Sequence, residues 1–389
     1  MYYVGIDIGK RKHAVRLLDE DGKDVGKVET ISNDADGFSR LLTVLGDVSD
    51  SVFIGLEATG HYWLALFSFL TELGFEVTVL NPLQVCAYRR SGIRKRKTDS
   101  DDARWIADYI RIGGRGATPD DSKELARLRE ITRFRASLTR QIGDCKCAIV
   151  RNLDRIFPEY ERLFSDIFIK SSRALLTEAV TPEDFAEFDL TELTELLSKA
   201  SRGRFGMDKA RDVQSAANRS VGVAFLGEPL RVEVRYLLDQ LNLLEQQQQQ
   251  LDEWIKEAMT SLDQYLTTIP GMGPIGAATI LAEIGDVIRF DRPEQIVSYA
   301  GIDPTIFESG QFKATDNHMS KRGSPALRLA LWQASFRVIM YDPQLKAYYR
   351  RKRDEGKAHG TAMGAVSRKL VHRIYIILKE QRPYVVRNP

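Results

Sequence analysis

The chain has 389 residues, which is too long for one compact core, and its 43% apolar and 28% charged residues exclude a disordered protein. No run of 18 apolar residues and no secretory signal pattern is present, and three cysteines without an accompanying Cys/His cluster argue against a disulfide framework or a zinc site. The net charge of +2 hides an imbalance, because positions 311–389 hold 17 Lys and Arg against 5 Asp and Glu. We therefore expect a cytoplasmic protein of two or three domains whose carboxyl end attracts nucleic acid.

The first 115 residues alternate between strand and helix patterns. Runs rich in β-branched residues predict strands, Asp21 and Gly22 predict a hairpin turn, and Asn33 or Asp34 can cap the first helix. The resulting order is β-β-β-α-β-α-β-α, which is the order of the RNase H-like superfamily, so we expect a mixed α/β domain of that fold over 1–115. The predicted strands cover 3–8, 13–18, 23–30, 51–57 and 75–80, and the predicted helices begin near 34, 62, 82 and 99.

Four acidic residues of this domain stand where their carboxylates can converge. Asp7 lies within the first strand, Glu57 ends the fourth, and Asp99 and Asp102 share one face of a helix. Carboxylates at strand ends and on one helix face can meet at a single sheet edge, and such hard oxygen ligands suit Mg²⁺. We therefore expect a divalent-metal centre for phosphodiester chemistry, with two Mg²⁺ sites or with Mn²⁺ in their place.

A structural role competes with the metal role for each acid. Glu57 could cap the next helix, Asp99 could be the N-cap after Thr98, and Asp101 or Asp102 could favour the helix dipole. Asp7 is the hardest to explain in this way, because a buried carboxylate is costly unless it is paired or bound to a metal.

A dense basic segment precedes the helix that carries Asp99. As an isolated run of charge it would be a solvated loop, but beside an acidic cluster it would bring a phosphate backbone to the metal ions. Its members are Arg89, Arg90, Arg94, Lys95, Arg96 and Lys97.

Residues 116–265 are predicted to be a helical linker. Apolar residues recur at three, four or seven positions up to Leu153, whereas 158–226 is predicted only as a mostly helical insertion. A second long helix at about 229–262 has a heptad seam with Gln248 at a polar position, and we expect a coiled coil within the chain or between chains. The seam consists of Leu230, Val234, Leu237, Leu241, Leu244, Gln248, Leu251, Ile255, Ala258 and Leu262.

The remaining residues, 266–389, are predicted to form a mainly helical domain. The stretch 269–285 has the layout of a helix-hairpin-helix, with Gly271 and Gly273 in the hairpin. Glycines allow a tight turn and expose N–H groups at a helix start, where phosphate binds well. We therefore favour a nucleic-acid contact at these glycines over a hairpin that serves only in packing.

Seven segments of the chain resemble the DEDD-type insertion-sequence transposases, which have a RuvC-like nuclease domain and a separate carboxyl-terminal transposase domain. The resemblance covers both ends of the chain in the expected order and does not extend over 158–226. The segments are YVGIDIGK (3–10), LEATGHY (56–62), VLNP (79–82), RKTDSDDAR (96–104), IPGMGP (269–274), YAGIDPTIFESG (299–310) and MSKRGSPALRLAL (319–331).

This resemblance implies a function and a set of site residues. The four acids of the family fall on Asp7, Glu57, Asp99 and Asp102, and its catalytic serine falls on Ser309. The serine is expected to attack a DNA phosphate at which the acids bind Mg²⁺, and strands are exchanged between donor and target DNA. The expected partners are these DNAs, a non-coding bridge RNA that guides the choice, and further copies of the chain in a dimer or dimer of dimers.

Considered without the resemblance, Ser309 is a weaker candidate than the acids. A turn or an N-cap is the ordinary role of a serine in a basic, glycine-containing stretch, and Ser320 and Ser324 lie in the same stretch. A nucleophilic serine needs activation, and metal ions held by the other domain could supply it. Candidate phosphate contacts near the serine are Lys313, His318, Lys321, Arg322 and Arg328.

Three other functions compete with the transposase interpretation. A structure-selective nuclease, such as a Holliday-junction resolvase, would use the four acids without serine chemistry. An actin-like sugar or metabolite kinase would explain VGIDIGKRK as a phosphate-binding hairpin, but it needs a second glycine-rich loop and a duplicated domain that the sequence lacks. A non-catalytic DNA-binding module would need the hairpin motif and the basic end, but not Asp7.

Overall fold

In the computed structural model the chain divides into two compact units, Met1–Asp120 and Asp121–Pro389. The structure describes residues 1–46, 51–58, 60–91, 98–114, 116, 123–262, 264–305, 308–309, 312–313 and 318–386. Within these ranges no helix is both long enough and apolar enough to cross a membrane.

The first unit is a five-stranded sheet with helices on both faces. The sheet order is β3-β2-β1-β4-β5; β2 is antiparallel to its two neighbours, and β1, β4 and β5 are parallel. The elements are β1 (Tyr2–Ile8), β2 (Lys12–Leu18), β3 (Glu29–Ser32), α1 (Ala35–Leu45), β4 (Val52–Glu57), α2 (Leu64–Glu72), β5 (Glu76–Leu80), α3 (Pro82–Ser91) and α4 (Asp99–Arg111).

This order confirms the predicted mixed α/β arrangement, but the predicted third strand at 23–30 is wrong in its position. After the turn, Val25 donates to Leu17 and Asp24 bridges Leu18, so the chain pairs only briefly with β2. Gly26 then takes a left-handed conformation with φ of 77°, which interrupts the extended run, and β3 starts at Glu29.

The alternation along β1 divides its residues between two cores. Val4 and Ile6 are buried on the face covered by α1 and α2. Tyr3 packs on the opposite face with α3 and α4, where Gly5 also touches α4. Because side chains alternate along a strand, Asp7 belongs to this second face, together with Tyr3 and Gly5.

Helix α4 lies directly on the backbone of β1 because Gly5 has no side chain. A Cβ added at Gly5 would stand 2.0 Å from the carbonyl oxygen of Ala103 and 2.4 Å from the nitrogen of Ala107. Gly55 is opposite Gly5 in the β1–β4 register, and its added Cβ would meet a methyl of Ile110 at 3.0 Å. The two glycines thus fix the height of α4 above the sheet and the position of its first turn.

Among its described residues, the second unit is helical apart from a two-stranded hairpin. One hydrophobic core lies in the region between the two longest helices and a second lies in the carboxyl-terminal helices. The elements are α5 (Lys123–Ile156), α6 (Lys170–Glu178), α7 (Pro182–Glu187), α8 (Leu190–Ser201), α9 (Met207–Ala217), α10 (Gly227–Thr260), α11 (Pro274–Ile284), α12 (Pro293–Ala300), β6 (Glu308–Ser309), β7 (Phe312–Lys313), α13 (Pro325–Tyr341), α14 (Pro343–Asp354) and α15 (His359–Glu380).

The long helix α10 packs antiparallel against α5, which has the same length of 34 residues. Seam residues such as Val234 and Leu241 are fully buried, although Leu238 takes the buried position predicted for Leu237. The polar seam residue Gln248 donates to the hydroxyl of Thr139 on α5 at 2.7 Å. The predicted seam is therefore occupied within the chain, and its polar position sets a contact with α5.

The region of the predicted helix-hairpin-helix has a single 3₁₀ turn, Leu266–Thr268, where its first helix was expected. Gly271 has φ of 85°, and a Cβ there would stand 2.9 Å from the backbone of Arg337 on α13. An added Cβ at Gly273, directly before α11, would meet no atom within 4 Å. Packing against α13 therefore accounts for the first glycine, and the second borders open space.

Candidate active site

Asp7 and Glu57 stand side by side at the ends of two parallel strands. The β1–β4 register pairs Gly5 with Gly55 and Ile6 with Leu56, so the next residues along the two strands are Asp7 and Glu57. Residues matched in this way point to the same face of the sheet. This is the face on which α4 lies, and both acids are partly buried there.

The first turn of α4 supplies the other two acids. Thr98 is the N-cap of the helix, since its hydroxyl accepts from the backbone N–H of Asp101 and donates to the Asp101 carboxylate at 2.8 Å. Asp99 is therefore not the N-cap, and Asp101, a candidate for the helix dipole, supports the cap. Glu57 does not cap the next helix either, because the N-cap of α2 is Trp63, without a side-chain hydrogen bond.

The negative charges of the other three acids act on the carboxyl group of Asp7. Partial burial is the largest cause of a rise in the pKa of Asp7 to about 6, and the negative charges of Asp102, Glu57 and Asp99 follow as further causes in that order. A backbone N–H from Ile8 opposes the rise. The unit therefore holds a site where negative charge is concentrated and where a cation would be stabilised.

A cation of the chain already contacts this site. Arg89, in the last turn of α3, donates to the carboxylate of Asp102 at 2.7 Å. Its neighbour Tyr88 donates to Asp108 at 2.7 Å and packs edge-on against Trp105, so α3 is anchored on α4. This anchoring places the guanidinium of Arg89 beside the carboxylate of Asp102.

The donor set fits a divalent metal in its chemistry. Carboxylate oxygens that repel one another are the ligands preferred by hard divalent cations. As the described residues stand, no three His, Cys, Asp or Glu side chains converge closely enough to enclose an ion. Arg89 already pairs with Asp102, so a metal ligand at that acid would have to share or displace the guanidinium.

The predicted basic segment is only partly described. Arg89 is held by Asp102, and Arg90 is exposed at the end of α3. Arg94, Lys95, Arg96 and Lys97 lie outside the described residues.

Ser309 lies in the second unit, next to the tip of a β-hairpin. It pairs with Phe312 across the two strands, and Glu308 pairs with Lys313. Nearer the base of the hairpin, Pro304 bridges Met319, and the backbone N–H of Thr305 donates to the carbonyl of His318 at 2.7 Å. The predicted nucleophile thus lies at the end of a short strand.

The other two serines of this stretch have structural roles. Ser324 is the N-cap of α13, and its hydroxyl also donates to the carboxylate of Glu283 at 2.8 Å. The carboxylate of Glu283 is fully buried and accepts a hydrogen bond from Arg133 at 2.6 Å. Burial raises the pKa of Glu283, but the hydrogen bonds from Arg133 and Ser324 outweigh it, and the pKa is lowered. Ser320 donates to the carboxylate of Asp303. The ordinary interpretation as a capping residue is confirmed for Ser324, whereas Ser320 lies in neither a turn nor a cap and instead joins two chain segments that are 17 positions apart.

The predicted phosphate contacts in this region differ in their surroundings. Lys321 and Arg322 are exposed, and Lys321 has a positive φ of 53°, which is uncommon for a residue with a side chain. His318 is also exposed. Arg328 is half-buried and donates to the carbonyl of Ala300 at 3.0 Å, so part of its guanidinium holds α12 against α13.

Sequence reasoning missed the residues that hold the site in place. Gly5 and Gly55 give α4 its seat on the sheet, and Tyr88 anchors the helix that carries Arg89. Glycines inside two neighbouring predicted strands were the available signal, since glycine within a strand often marks a close approach of another backbone. The role of Tyr88 had no sequence signal.

Comparisons with known proteins agree with this arrangement. Residues 4–158 match the model for DEDD transposases of the IS110 type, described as "Transposase", and residues 263–350 match the model described as "Transposase IS116/IS110/IS902 family". The acids fall in the first match and Ser309 in the second.

Relatives match along the whole chain. The insertion element IS116 protein of Streptomyces clavuligerus is 28% identical over 100% of this chain and 97% of its own length. The insertion element IS110 protein of Streptomyces coelicolor is 23% identical over 100% and 96%, and the pilin gene-inverting protein of Moraxella bovis is 24% identical over 98% and 97%. Among solved structures, T. thermophilus RuvC with a Holliday junction substrate aligns with 30% of this chain and 98% of its own, at 18% identity and a TM-score of 0.23.

Both ends of the chain match models of one transposase family, in the order of the two units, and these relatives extend over the region between them. The chain therefore belongs to the IS110 family of insertion-sequence transposases, and it is an enzyme of DNA strand transfer.

Proposed function

We propose that Asp7, Glu57, Asp99, Asp102 and Ser309 form one composite centre that cleaves and rejoins DNA to mobilise an insertion sequence. The observation that carries the proposal is the concentration of negative charge at Asp7, where three other acids raise the pKa of a half-buried carboxyl group. In this proposal residues 1–115 are a RuvC-like catalytic domain, 116–265 a helical linker with the insertion at 158–226, and 266–389 the transposase domain.

The four acids would hold divalent metal, with Mg²⁺ as the expected ion at two sites and Mn²⁺ as a substitute. When bound, such an ion lowers the negative charge of a scissile phosphate and favours ionisation of an attacking hydroxyl. The four acids would define the edge of the sheet at which the phosphate binds. Among them Asp7, whose pKa is raised, would be stabilised most by a bound cation. Arg89 would neutralise Asp102 until the DNA and the metal arrive.

Ser309 would supply the nucleophile. Its hydroxyl oxygen would form a bond to a DNA phosphorus while the bond to one DNA oxygen breaks; the serine proton passes to solvent or to a nearby base, and a DNA hydroxyl is released. A DNA hydroxyl from the second duplex would then attack the phosphoserine and release Ser309 unchanged. The resemblance of YAGIDPTIFESG (299–310) to the family's serine motif supports this role.

Nucleic acid would be held by cations on both units and by the hairpin before α11. The proposed contacts are Arg89, Arg90, Arg94, Lys95, Arg96, Lys97, Gly271, Gly273, Lys313, His318, Lys321, Arg322 and Arg328. We propose donor and target DNA as substrates and a non-coding bridge RNA as the guide. The open space beside Gly273 at the start of α11 supports a phosphate contact there.

A homo-oligomer is proposed through the helical linker. The seam of α10 is occupied by α5, so a second copy would use the outer side of α10. That side exposes Val232, Tyr236, Leu243 and Trp254, which follow one another at four, seven and eleven positions and are 41–71% exposed. This spacing keeps them on one face of the helix, and such an exposed apolar stripe supports an interface between copies, with the centre completed in cis or in trans.

A covalent-adduct assay tests the proposal. Purified protein is incubated with Mg²⁺, the proposed guide RNA, a target duplex and a labelled donor duplex that carries the element junction, and adducts are separated on a denaturing gel. The wild type should give a protein–DNA adduct and exchanged strands, Ser309→Ala should lose both, and Asp7→Asn should lose both. Strand exchange by Ser309→Ala would contradict the serine mechanism.

A resolvase-like nuclease is the second candidate. It is favoured by one observation: the charges that meet at Asp7 come only from residues of the first unit. In that case Ser309→Ala would keep metal-dependent cleavage of a branched junction while Asp7→Asn would not.

A further inference from the structure

A corner formed by α14 and α15 concentrates positive charge. Residues 343–380 hold ten Lys and Arg against three Asp and Glu. Most of this corner lies beyond residue 350, where the second family match ends. Neither the family match nor the proposed active site therefore accounts for it.

Four cations follow one another on one side of the corner, and we call them the basic corner: Lys346, Arg350, Arg353 and Lys357. The spacing of four and three places Lys346, Arg350 and Arg353 along one face of α14, and Lys357 follows after the end of that helix. All four are exposed, and none forms an ion pair with a described residue. The guanidinium of Arg353 donates to the carbonyl of Lys357, which holds the two last members together.

Nearby acids do not balance this charge. Glu355 is engaged by Lys352 at 2.6 Å and by Arg351 at 3.8 Å. Asp354 is exposed and borders the same surface depression of about 480 Å³ as Lys346 and Arg350. Among the described residues, Asp354 is thus the one acid of this surface without an ion pair, against four cations, so the surface remains strongly positive.

The helix dipoles explain only some of the cations. Arg351, Lys352 and Arg353 lie in the last turn of α14, where positive charge is favourable. Lys357 has the opposite placement, because it directly precedes α15, whose first turn has no acidic residue and no side-chain cap. Lys346 lies in the first half of α14, where the dipole gives a cation no benefit. A polyanion would compensate these positions.

The aromatic residue at this corner indicates the kind of polyanion. The ring of Tyr348 is covered by Lys369 at 4.5 Å, by Arg351 at 5.1 Å and by Lys352 at 5.7 Å from its centroid. Proteins that bind single strands combine a basic groove with aromatic rings on which bases stack. Here the ring is already occupied by cations, so the corner offers contacts to phosphates and not to bases.

We propose that the basic corner binds the phosphate backbone of duplex DNA without sequence preference. Lys346 and Arg353 are seven positions apart in α14. This separation is about 10 Å along the helix axis and matches about three nucleotide steps of one strand. The proposal rests on the DNA-directed function proposed above. It assigns to α14 the non-specific part of DNA affinity, separate from the acids and Ser309.

Salt-dependent binding without metal tests the basic corner. A labelled duplex of about 25 base pairs and arbitrary sequence is titrated with the full-length protein in EDTA, with fluorescence anisotropy as the readout, at several salt concentrations. The test variant combines Lys346→Gln, Arg350→Gln, Arg353→Gln and Lys357→Gln. The matched control removes four exposed cations on other helices by Arg140→Gln, Lys199→Gln, Arg211→Gln and Lys256→Gln.

The test variant should bind at least about tenfold more weakly, and the slope of log K against log salt should shrink by about three to four, since each phosphate contact contributes about 0.9. The control variant has the same net charge and should keep both the affinity and the slope within twofold. Equal losses in the two variants would mean that only net charge matters and would overturn the proposal. Unchanged binding by the test variant would overturn it as well.

The test of the basic corner is separate from the active-site proposal. The titration contains EDTA and measures binding alone, so its outcome does not depend on whether the chemistry proposed for the acids and Ser309 takes place. Single-stranded RNA and DNA of the same length serve as competitors, and stronger competition by either than by unlabelled duplex would overturn the choice of duplex DNA. Circular dichroism of the test variant should match the wild type, and its partially neutralised form, Lys346→Gln with Arg350→Gln, should lose about half of the slope change.

Discussion

The guanidinium of Arg89 donates to the carboxylate of Asp102 at 2.7 Å, so a side chain of α3 holds one of the four acids of the candidate centre. A divalent cation and Arg89 would compete for this carboxylate. Replacement by Arg89→Gln should therefore strengthen Mn²⁺ binding in the absence of DNA by about two- to tenfold, as measured by isothermal titration calorimetry.

The control for this prediction is Arg104→Gln, which removes an ion pair with Asp24 elsewhere on the first unit. Mn²⁺ affinity should not change in the control. A weaker affinity in Arg89→Gln would show that the guanidinium orients Asp102 for the metal and does not compete with it.

Asp7→Asn should raise stability and abolish strand transfer. The pKa of Asp7 is raised to about 6 in the folded chain, so the folded state binds this proton more tightly than the unfolded state does. As pH rises from about 4 to about 6, the unfolded state releases the proton first and the wild type loses up to about 3 kcal/mol relative to the variant. The melting temperatures of the two proteins should therefore be similar near pH 4 and differ by several degrees above pH 6, without metal.

Differential scanning fluorimetry across this pH range measures the difference. Addition of Mn²⁺ at pH 7 should raise the melting temperature of the wild type and have little effect on Asp7→Asn. Equal melting temperatures at every pH would mean that neither burial nor the other acids raise the pKa of Asp7.

Gly5→Ala should disrupt the centre without touching an acid. Its Cβ would stand 2.0 Å from the carbonyl oxygen of Ala103, a backbone atom that can move only with α4. Overpacking of this kind costs about 1–3 kcal/mol or more, and the shift would carry Asp102 away from Asp7. Gly55→Ala is the matched control, because its Cβ would meet only side-chain methyls, those of Ile110 at 3.0 Å and Ile106 at 3.1 Å, and side-chain adjustment can relieve these contacts.

Urea denaturation and Mn²⁺ binding distinguish the two glycine variants. Gly5→Ala should lose both stability and metal affinity, whereas Gly55→Ala should lose less of each. A Gly55→Ala variant as damaged as Gly5→Ala would show that the backbone contact is not the decisive one.

Ser309→Ala and Ser324→Ala should separate chemistry from stability. Loss of the Ser309 hydroxyl should remove the covalent adduct and leave the melting temperature nearly unchanged, since the substitution leaves the backbone pairing of Ser309 with Phe312 intact. Loss of the Ser324 hydroxyl removes the N-cap of α13 and one partner of buried Glu283, which should cost about 1–3 kcal/mol but leave adduct formation intact. The adduct assay and thermal unfolding measure both effects.

The sequence predicted the first unit well because its signals are local. Strand and helix periods, and the Asp34 cap, determine the order of the elements, and that order places Asp7 and Glu57 on adjacent parallel strands. The position of β3 was wrong because a left-handed Gly26 interrupts an otherwise extended run, and a run of residue types does not reveal that conformation.

Contacts between distant residues could not be predicted. The pairing of Arg89 with Asp102 depends on how α3 packs against α4, and the contact of Tyr88 with Asp108 is an equally non-local event. In the linker, the heptad pattern predicted a seam but not its partner, because a pattern within one helix does not specify which surface covers it. Sequence reasoning also missed Glu283, whose burial is compensated by Arg133 and Ser324 from two other helices.

The contact of Gly5 with the backbone of α4 has a consequence for how such a protein can vary. Backbone atoms, and not interlocking side chains, set the separation between sheet and helix at this point. Apolar residues elsewhere in the two cores of the first unit can then be exchanged for others of similar volume without moving the acids relative to one another. Most interior residues of the first unit can therefore change during evolution, provided that position 5, beneath α4, remains a glycine.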